Sequence, residues 1–192
     1  MDMIKLIDII KEIGDAPAIP PAIVQPSTKS IINADFLKYM MNAENAATKG
    51  RKNGIWTPHK SPEGGLPTIG YGHKIQTTNE LIRYKKTGIS DKDAIKLLSS
   101  DLIEANKKVH DYIKKRYNIK IQLTQKQEEM LTEFAFSVRG GLGSFPNFTD
   151  AVLRNDIDTM RKEYERKFTP KGETEKKSLV RRNNLFYDRY LR

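Results

Sequence analysis

Residues 90–117 place Ala94, Ile95, Leu97, Leu98, Leu102, Ile103, Ala105, Val109, Tyr112 and Ile113 at helical spacing. The pattern predicts one long helix running to about Tyr117, with Ser90 and Asp93 resembling a capping box at its start. A second helix opens at Thr124 with Gln127 and carries Met130, Leu131, Phe134, Ala135 and Val138, with Gly140-Gly141 as its expected stop. Two or three more helices fit between Asn147 and Leu191. An earlier helix over 34–47, opened by Asn33 or Asp35, presents Phe36, Leu37, Met40 and Met41 on one face. A chain so committed to helix has little room left for a sheet.

The exception is Pro58–Lys74, PHKSPEGGLPTIGYGHK, whose 17 residues include four glycines and three prolines. Turn residues at this density contribute little core. Upstream, Gly50 and the Asn53-Gly54 pair favour a tight turn. Thr68–His73 reads as a short strand with glycines where another backbone comes close. The fold class expected is therefore α+β: a mostly helical domain with a small β-hairpin lobe near residues 50–75 inserted early.

The N-terminal part differs in character. Met3, Ile4, Leu6, Ile7, Ile9, Ile10 and Ile13 form a broad apolar helical stripe, and Asp15–Ser27 holds Pro17, Pro20, Pro21 and Pro26. The expected organisation is an amphipathic helix and proline-rich linker over 1–27, followed by one domain over 28–192. Asp2, Lys5, Asp8, Lys11 and Glu12 interrupt the first stretch, so it does not read as a cleavable secretion signal. No run of about 18 apolar residues is present, so no transmembrane helix is expected.

The chain has 192 residues and a formal net charge of +10, and residues 161–192 hold 11 Lys/Arg against 5 Asp/Glu. Such a balance points to a polyanionic partner: nucleic acid, an anionic membrane face or a bacterial envelope polymer. The basic residues are interleaved with acids, and no recognition helix or aromatic RNA-binding signature is present, which argues against nucleic acid. There is no cysteine, hence no disulfide framework and no thiolate metal site. The spacing of His59, Glu63 and His73 matches no metal-ligand pattern.

Glu44 continues the apolar face of the helix that carries Phe36 and Met40. A carboxyl among apolar groups is costly and holds its proton more tightly than one in water. Such a group can protonate a leaving oxygen near neutral pH, as cleavage of a glycosidic bond requires. The opposite face of the sugar then needs a nucleophile or a positioned water, which a glycine-rich hairpin downstream could supply.

At these residues the chain resembles the phage-type lysozymes, glycoside hydrolase family 24. The resemblance rests on a helix ending in Glu44 followed by Thr68-Ile69-Gly70-Tyr71-Gly72-His73. Gly88-Ile89-Ser90 is similar to the opening of the family's lobe-joining helix. Leu123-Thr124-Gln125, Phe134-Ala135-Phe136 and Gly140-Gly141-Leu142-Gly143-Ser144-Phe145 are similar to its central buried helix and glycine turn. Leu179-Val180-Arg181-Arg182 is similar to its closing arginine helix, so the likeness spans roughly residues 34–192.

The resemblance implies a lysozyme-like fold and cleavage of the β-1,4 bond between N-acetylmuramic acid and N-acetylglucosamine in peptidoglycan, with no cofactor. Glu44 would be the acid, and a second acidic residue together with Thr68 would position the attacking water. Here the sequence departs from the family. Glu44 and Thr68 lie 24 positions apart, which is longer than the family pattern, and Ser61 and Pro62 occupy the region of the missing acid. Glu63, or a water held by His59 and Thr68, is expected to fill that role. The absence of the second acid also fits the lytic transglycosylases, in which the sugar's own 6-hydroxyl attacks.

Trp56 and Tyr71 either stack on sugar rings or belong to the core, and His59 is a further candidate at the substrate. Arg181-Arg182 reads as a pairing site for buried carbonyls or acids. The partner expected is the glycan strand, with the protein a monomer. Residues 1–27 would serve to dock it on a virion or sister protein. It would sit in the host cytoplasm until a holin-like pore released it, or travel on the particle. The rival class is a non-enzymatic basic module for nucleic acid or a membrane surface.

Overall fold

A computed structural model describes residues 32–45, 47–60, 67–118, 121–138, 140–168 and 177–192. The expectations for residues 1–27, for a domain boundary at 28 and for Glu63 lie outside these residues.

Helix α1 spans Ala34–Asn45. The Asn33 side chain caps it, accepting from the Phe36 amide at 2.8 Å, which satisfies an otherwise orphaned N–H. Phe36 and Met40 are fully buried, while Leu37 and Met41 pack at the edge of the same core. The helix stops at Asn45, short of the expected Ala47, because the Asn45 side chain turns back on the following loop.

Strands β1 (Arg51–Lys52) and β2 (Ile55–Trp56) pair antiparallel around Asn53-Gly54, both at positive φ as a tight turn demands. Strand β5 (Ile89–Ser90) joins the other edge of β2. The expected single strand over 68–73 is instead a second hairpin. β3 (Thr68–Ile69) pairs with β4 (His73–Lys74), and Gly70 and Gly72 form the turn at φ +63° and +90°. Those angles suit glycine and strain other residues, so the chain reverses where the pattern alone suggested an extended run.

Helix α2 (Thr78–Thr87) opens with a full Thr77/Glu80 capping box. Helix α3 then runs over Asp91–Tyr117, 27 residues or about 40 Å, with Ser90 accepting from the Asp93 amide. It touches two cores. Ala94 joins Trp56, Ile69, Ile75 and Tyr84 in a small cluster under the hairpins. Leu98, Leu102, Val109 and Ile113 join the main core with Phe36, Met40, Phe134, Phe148, Tyr164 and Phe186. One helix thus carries both lobes.

The centre of the main core is α4 (Gln125–Ser137), with the Thr124/Gln127 capping box in place. Phe134 stacks on Phe148 at 4.1 Å. The helix ends three residues before Gly140, so the glycine pair is not its stop. The Ser137 hydroxyl donates back to the Glu133 carbonyl, and Arg166 takes the Ser137 carbonyl, so the last turn is closed by side chains. Gly140 and Gly141 instead lead into a 3-10 turn at Leu142–Ser144. Helices α5 (Pro146–Arg154) and α6 (Ile157–Tyr164), the pair β6 (Lys167–Phe168) with β7 (Lys177–Ser178), and α7 (Val180–Tyr190) complete the domain. Among the described residues no helix is long and apolar enough to cross a membrane.

His73 on β4 meets Asp101 on α3 at 2.8 Å, tying the hairpin to the long helix. The Asp101 hydrogen bond raises the His73 imidazole above its usual range, against the opposing effect of burial. A raised folded value means that this pair stabilises fully below the unfolded value of about 6.5 and is lost as pH rises through the folded value. Thermal unfolding of wild type and His73→Asn should therefore differ most near pH 5.5, and the gap should narrow toward pH 9.

Candidate active site

The site is built where the end of α1 meets the β3–β4 hairpin. Asn45 is buried and donates to the Gly70 carbonyl at 3.0 Å and to the Lys49 carbonyl at 3.1 Å, while its own oxygen accepts from the Lys49 amide. The residue beside Glu44 thereby fixes the helix end to the hairpin turn. A Cβ on Gly72 would lie 3.5 Å from Glu44 Oε2, so the turn presses a bare backbone against the carboxyl. A Cβ on Gly70 would sit 3.1 Å from Ala94 Cβ, so this glycine seats the hairpin on α3 while its carbonyl is held by Asn45.

A carboxyl on an apolar face is costly without a partner, and Glu44 has one. Arg182 on α7 donates through Nη2 to Glu44 Oε1 at 2.6 Å, and each side chain is only 13% exposed. The same guanidinium donates through Nε and Nη2 to Glu133 Oε1, at 3.1 and 2.7 Å. Glu133 is fully buried on α4, and the Tyr164 hydroxyl donates to that oxygen as well, at 2.9 Å. Burial opposes the Arg182 charge, but Glu44 and then Glu133 more than offset it and hold the guanidinium firmly protonated. A single buried cation thus serves two carboxylates. Arg181 beside it donates to the Asn42 carbonyl and side chain at 3.0 and 2.7 Å. Arg182 matches the pairing with buried acids read from the sequence, whereas the Arg181 contact to Asn42 is exposed.

Thr68 lies on the hairpin and is 8% exposed. Its backbone pairs with His59 in both directions at 2.9 Å, and its hydroxyl lies 3.3 Å from His59 Nε2. The structure therefore brings together two residues that the sequence placed nine positions apart. Burial pushes the half-buried imidazole of His59 below the usual histidine range, more than a neighbouring Thr57 carbonyl lifts it, and Lys49 adds to the fall.

Trp56 is not a sugar platform. It is fully buried, its indole N–H donates to Asp91 at 2.8 Å, and its ring lies 4.9 Å from Tyr71. Arg51 closes a bidentate pair on the same carboxylate, and Arg51 and then the indole hold Asp91 down at about 2. Tyr71 is half-buried, with one side against Trp56, and burial raises its phenol. Sequence reasoning missed Glu133, Tyr164 and Asn45. Only Glu133 left a signal: a carboxylate set in the apolar run Met130-Leu131-Thr132-Glu133-Phe134. Among the described residues no cluster of three or more His, Asp or Glu side chains could hold a metal ion.

This fold is similar to that of the muramidase domain of SpmX from Asticaccaulis excentricus. The two share a TM-score of 0.54 at 18% identity, over 84% of this chain and 97% of that one. A search of curated proteins finds no match. The phage lysozyme family matches residues 52–185, which take in Thr68, His73, Glu133 and Arg182 and begin after Glu44. The chain belongs to the phage lysozyme family. It is accordingly a glycoside hydrolase of the muramidase type, acting on peptidoglycan, and the rival of a non-enzymatic binding module is set aside.

Removing Arg182 leaves the buried Glu133 carboxyl without its cation partner. Arg182→Met should cost about 3–5 kcal/mol in urea denaturation. The double variant Arg182→Met/Glu133→Gln should recover part of the loss, since neither buried charge then remains.

Proposed function

We propose that the protein is a phage muramidase that hydrolyses the β-1,4 bond between N-acetylmuramic acid and N-acetylglucosamine, with Glu44 as the general acid. The observation that carries this reading is the placement of the Glu44 carboxyl, with one oxygen on Arg182 and the other beside the Gly72 turn. Among the described residues only Arg182 hydrogen-bonds it, and only at Oε1. An oxygen held by a guanidinium N–H must accept, so a proton handed on by this carboxyl would leave from Oε2. That is the oxygen turned toward Gly72 and the hairpin. The acid thus presents its proton at the junction of the two lobes, where a glycan strand would cross.

Bond cleavage then needs a water on the other face of the sugar. Thr68 supplies the hydroxyl that holds it, and Glu63, five residues earlier in the sequence, is a second candidate for that side. Tyr71 and His59 line the approach. No cofactor enters the scheme. The +10 charge draws the enzyme to an anionic envelope. In this reading residues 1–27 dock the enzyme on a virion or a sister protein. It works as a monomer that reaches the wall through a holin-like pore or on the particle.

Products from purified peptidoglycan, weighed by mass spectrometry, test the proposal. Wild type should release muropeptides with reducing ends, and Glu44→Gln should slow release by roughly 10²–10⁴-fold. Anhydro-muropeptides would replace hydrolysis by transglycosylation. Full activity in Glu44→Gln would remove the glutamate from its role. Wild-type turnover should also fall as salt is raised from 0.05 to about 0.5 M, as screening weakens attraction to the wall.

A further inference from the structure

The proposed reaction leaves one position to fill, the acceptor of the water's proton. The region of the usual second acid contains Ser61 and Pro62. The lengthened segment between Glu44 and Thr68 places another titratable group against the threonine hydroxyl, and the surrounding structure is shaped to keep it there.

His59 is held from three sides. Its backbone is paired to Thr68 in both directions. Its Nε2 lies 3.3 Å from Thr68 Oγ1. Its Nδ1 is buried beside Gly50 and makes no hydrogen bond to the described residues. Gly50 has φ +80°, and a Cβ there would fall 2.6 Å from that carbonyl and 2.7 Å from Nδ1. The Thr57 amide and hydroxyl both donate to the Gly50 carbonyl, at 2.8 and 3.2 Å. A close glycine and a paired strand therefore hold the ring with Nε2 toward the threonine.

We infer that His59 is the positioning residue on the water side, taking the proton of the attacking water through the Thr68 hydroxyl. This rests on the muramidase reading of Glu44. The Thr68 O–H donates to Nε2, which turns the lone pairs of Oγ1 toward a water. As the water oxygen bonds to the anomeric carbon, the bond from that carbon to the leaving oxygen breaks. Glu44 Oε2 gives its proton to the leaving oxygen. The water's proton passes to Thr68 Oγ1, and the hydroxyl proton of Thr68 passes to His59 Nε2. The products leave behind a Glu44 carboxylate and a His59 cation, and exchange with solvent returns one proton to the first and removes one from the second.

The role requires a neutral imidazole. Burial and the nearby Lys49 both favour that form, and the Thr57 carbonyl opposes it more weakly than burial. Lys49, from the loop after α1, is the charged side chain that bears on the ring. A carboxylate would suffer in this half-buried place, whereas a neutral imidazole is at home there.

The test compares kcat, KM and the pH profile of the full chain on purified peptidoglycan for wild type, His59→Gln, Thr68→Val, their double variant, Glu63→Gln and Glu44→Gln. Gln keeps a polar group at Thr68 but does not titrate. His59→Gln should lower kcat by roughly 10²-fold or more with little change in KM, and the acid-side fall of kcat/KM should disappear. The double variant should be no slower than the slower single one, because the two residues act as one unit. The inference is overturned if His59→Gln keeps kcat within about threefold of wild type, if the acid-side fall persists, or if the two effects multiply. Loss in Glu63→Gln beside an active His59→Gln would transfer the role to Glu63. If His59→Gln does not fold by circular dichroism, Thr68→Val decides alone. It must then lose both kcat and the acid-side fall, since without the hydroxyl the imidazole has no path to the water. An active Glu44→Gln would instead sink the muramidase reading itself, so the two failures are distinguishable.

Discussion

The Arg182 guanidinium sits between Glu44 at the end of the first helix and Glu133 in the centre of the core, at 2.6 and 2.7 Å. Two carboxylates taken out of water would repel each other and each would lose its hydration. The cation between them makes the arrangement tolerable, and Tyr164 adds a further donor on the Glu133 side. Because Glu133 is fully buried in α4, the position of Arg182 is set by the packed core rather than by solvent. The orientation of Glu44 then follows from the core. Glu44 is thereby tied through Arg182 to the buried core, which is how a side chain at a helix end keeps one geometry.

The second constraint is mechanical. Helix α3 is shared by the two apolar clusters, so the hairpin lobe and the helical lobe are not free to choose their separation. Ala94 is small enough to let the Gly70 turn rest on the helix, and His73 locks the same hairpin to Asp101. Asn45 then closes the loop from the other side by binding the Gly70 carbonyl. Three contacts of different chemistry converge on one short turn, which is why the glycines are needed there. Each gives up side-chain volume so that helix, helix and carboxyl can all approach the backbone.

What could be read in advance divides along sequence distance. Helix α3 and the Thr124/Gln127 cap depend on neighbours three or four residues away, so their periodicity showed in the chain. Glu44 was legible as a carboxyl on an apolar face. Its partner was not, because Arg182 lies 138 positions away and no local pattern announces such a pair. Trp56 was equally open to stacking or burial, and what decided it was Asp91, 35 positions on, accepting from the indole. The Thr68–His73 segment misled for another reason. Its two glycines fit a strand that comes close to another backbone, but their positive φ values make a reversal.

If His59 acts on Thr68 as proposed, an inserted loop changes the chemistry of the site without moving its frame. A carboxylate on the water side must remain solvated or find a cation, and the described surroundings of Thr68 offer neither in full. An imidazole escapes that demand, because its neutral form is already the base. It needs only to be aimed, and aiming is what a paired strand and a glycine at φ +80° can do. Lengthening the connection between acid and threonine therefore supplies two things at once: the chain needed to reach back alongside β3, and a base that tolerates being half-buried there. On the acid side Arg182 does the opposite work, with a fixed charge that orients Glu44. In the proposed reaction the two sides are organised by different physics, an ion pair tied to the core at Glu44 and a neutral hydrogen-bonded relay at Thr68.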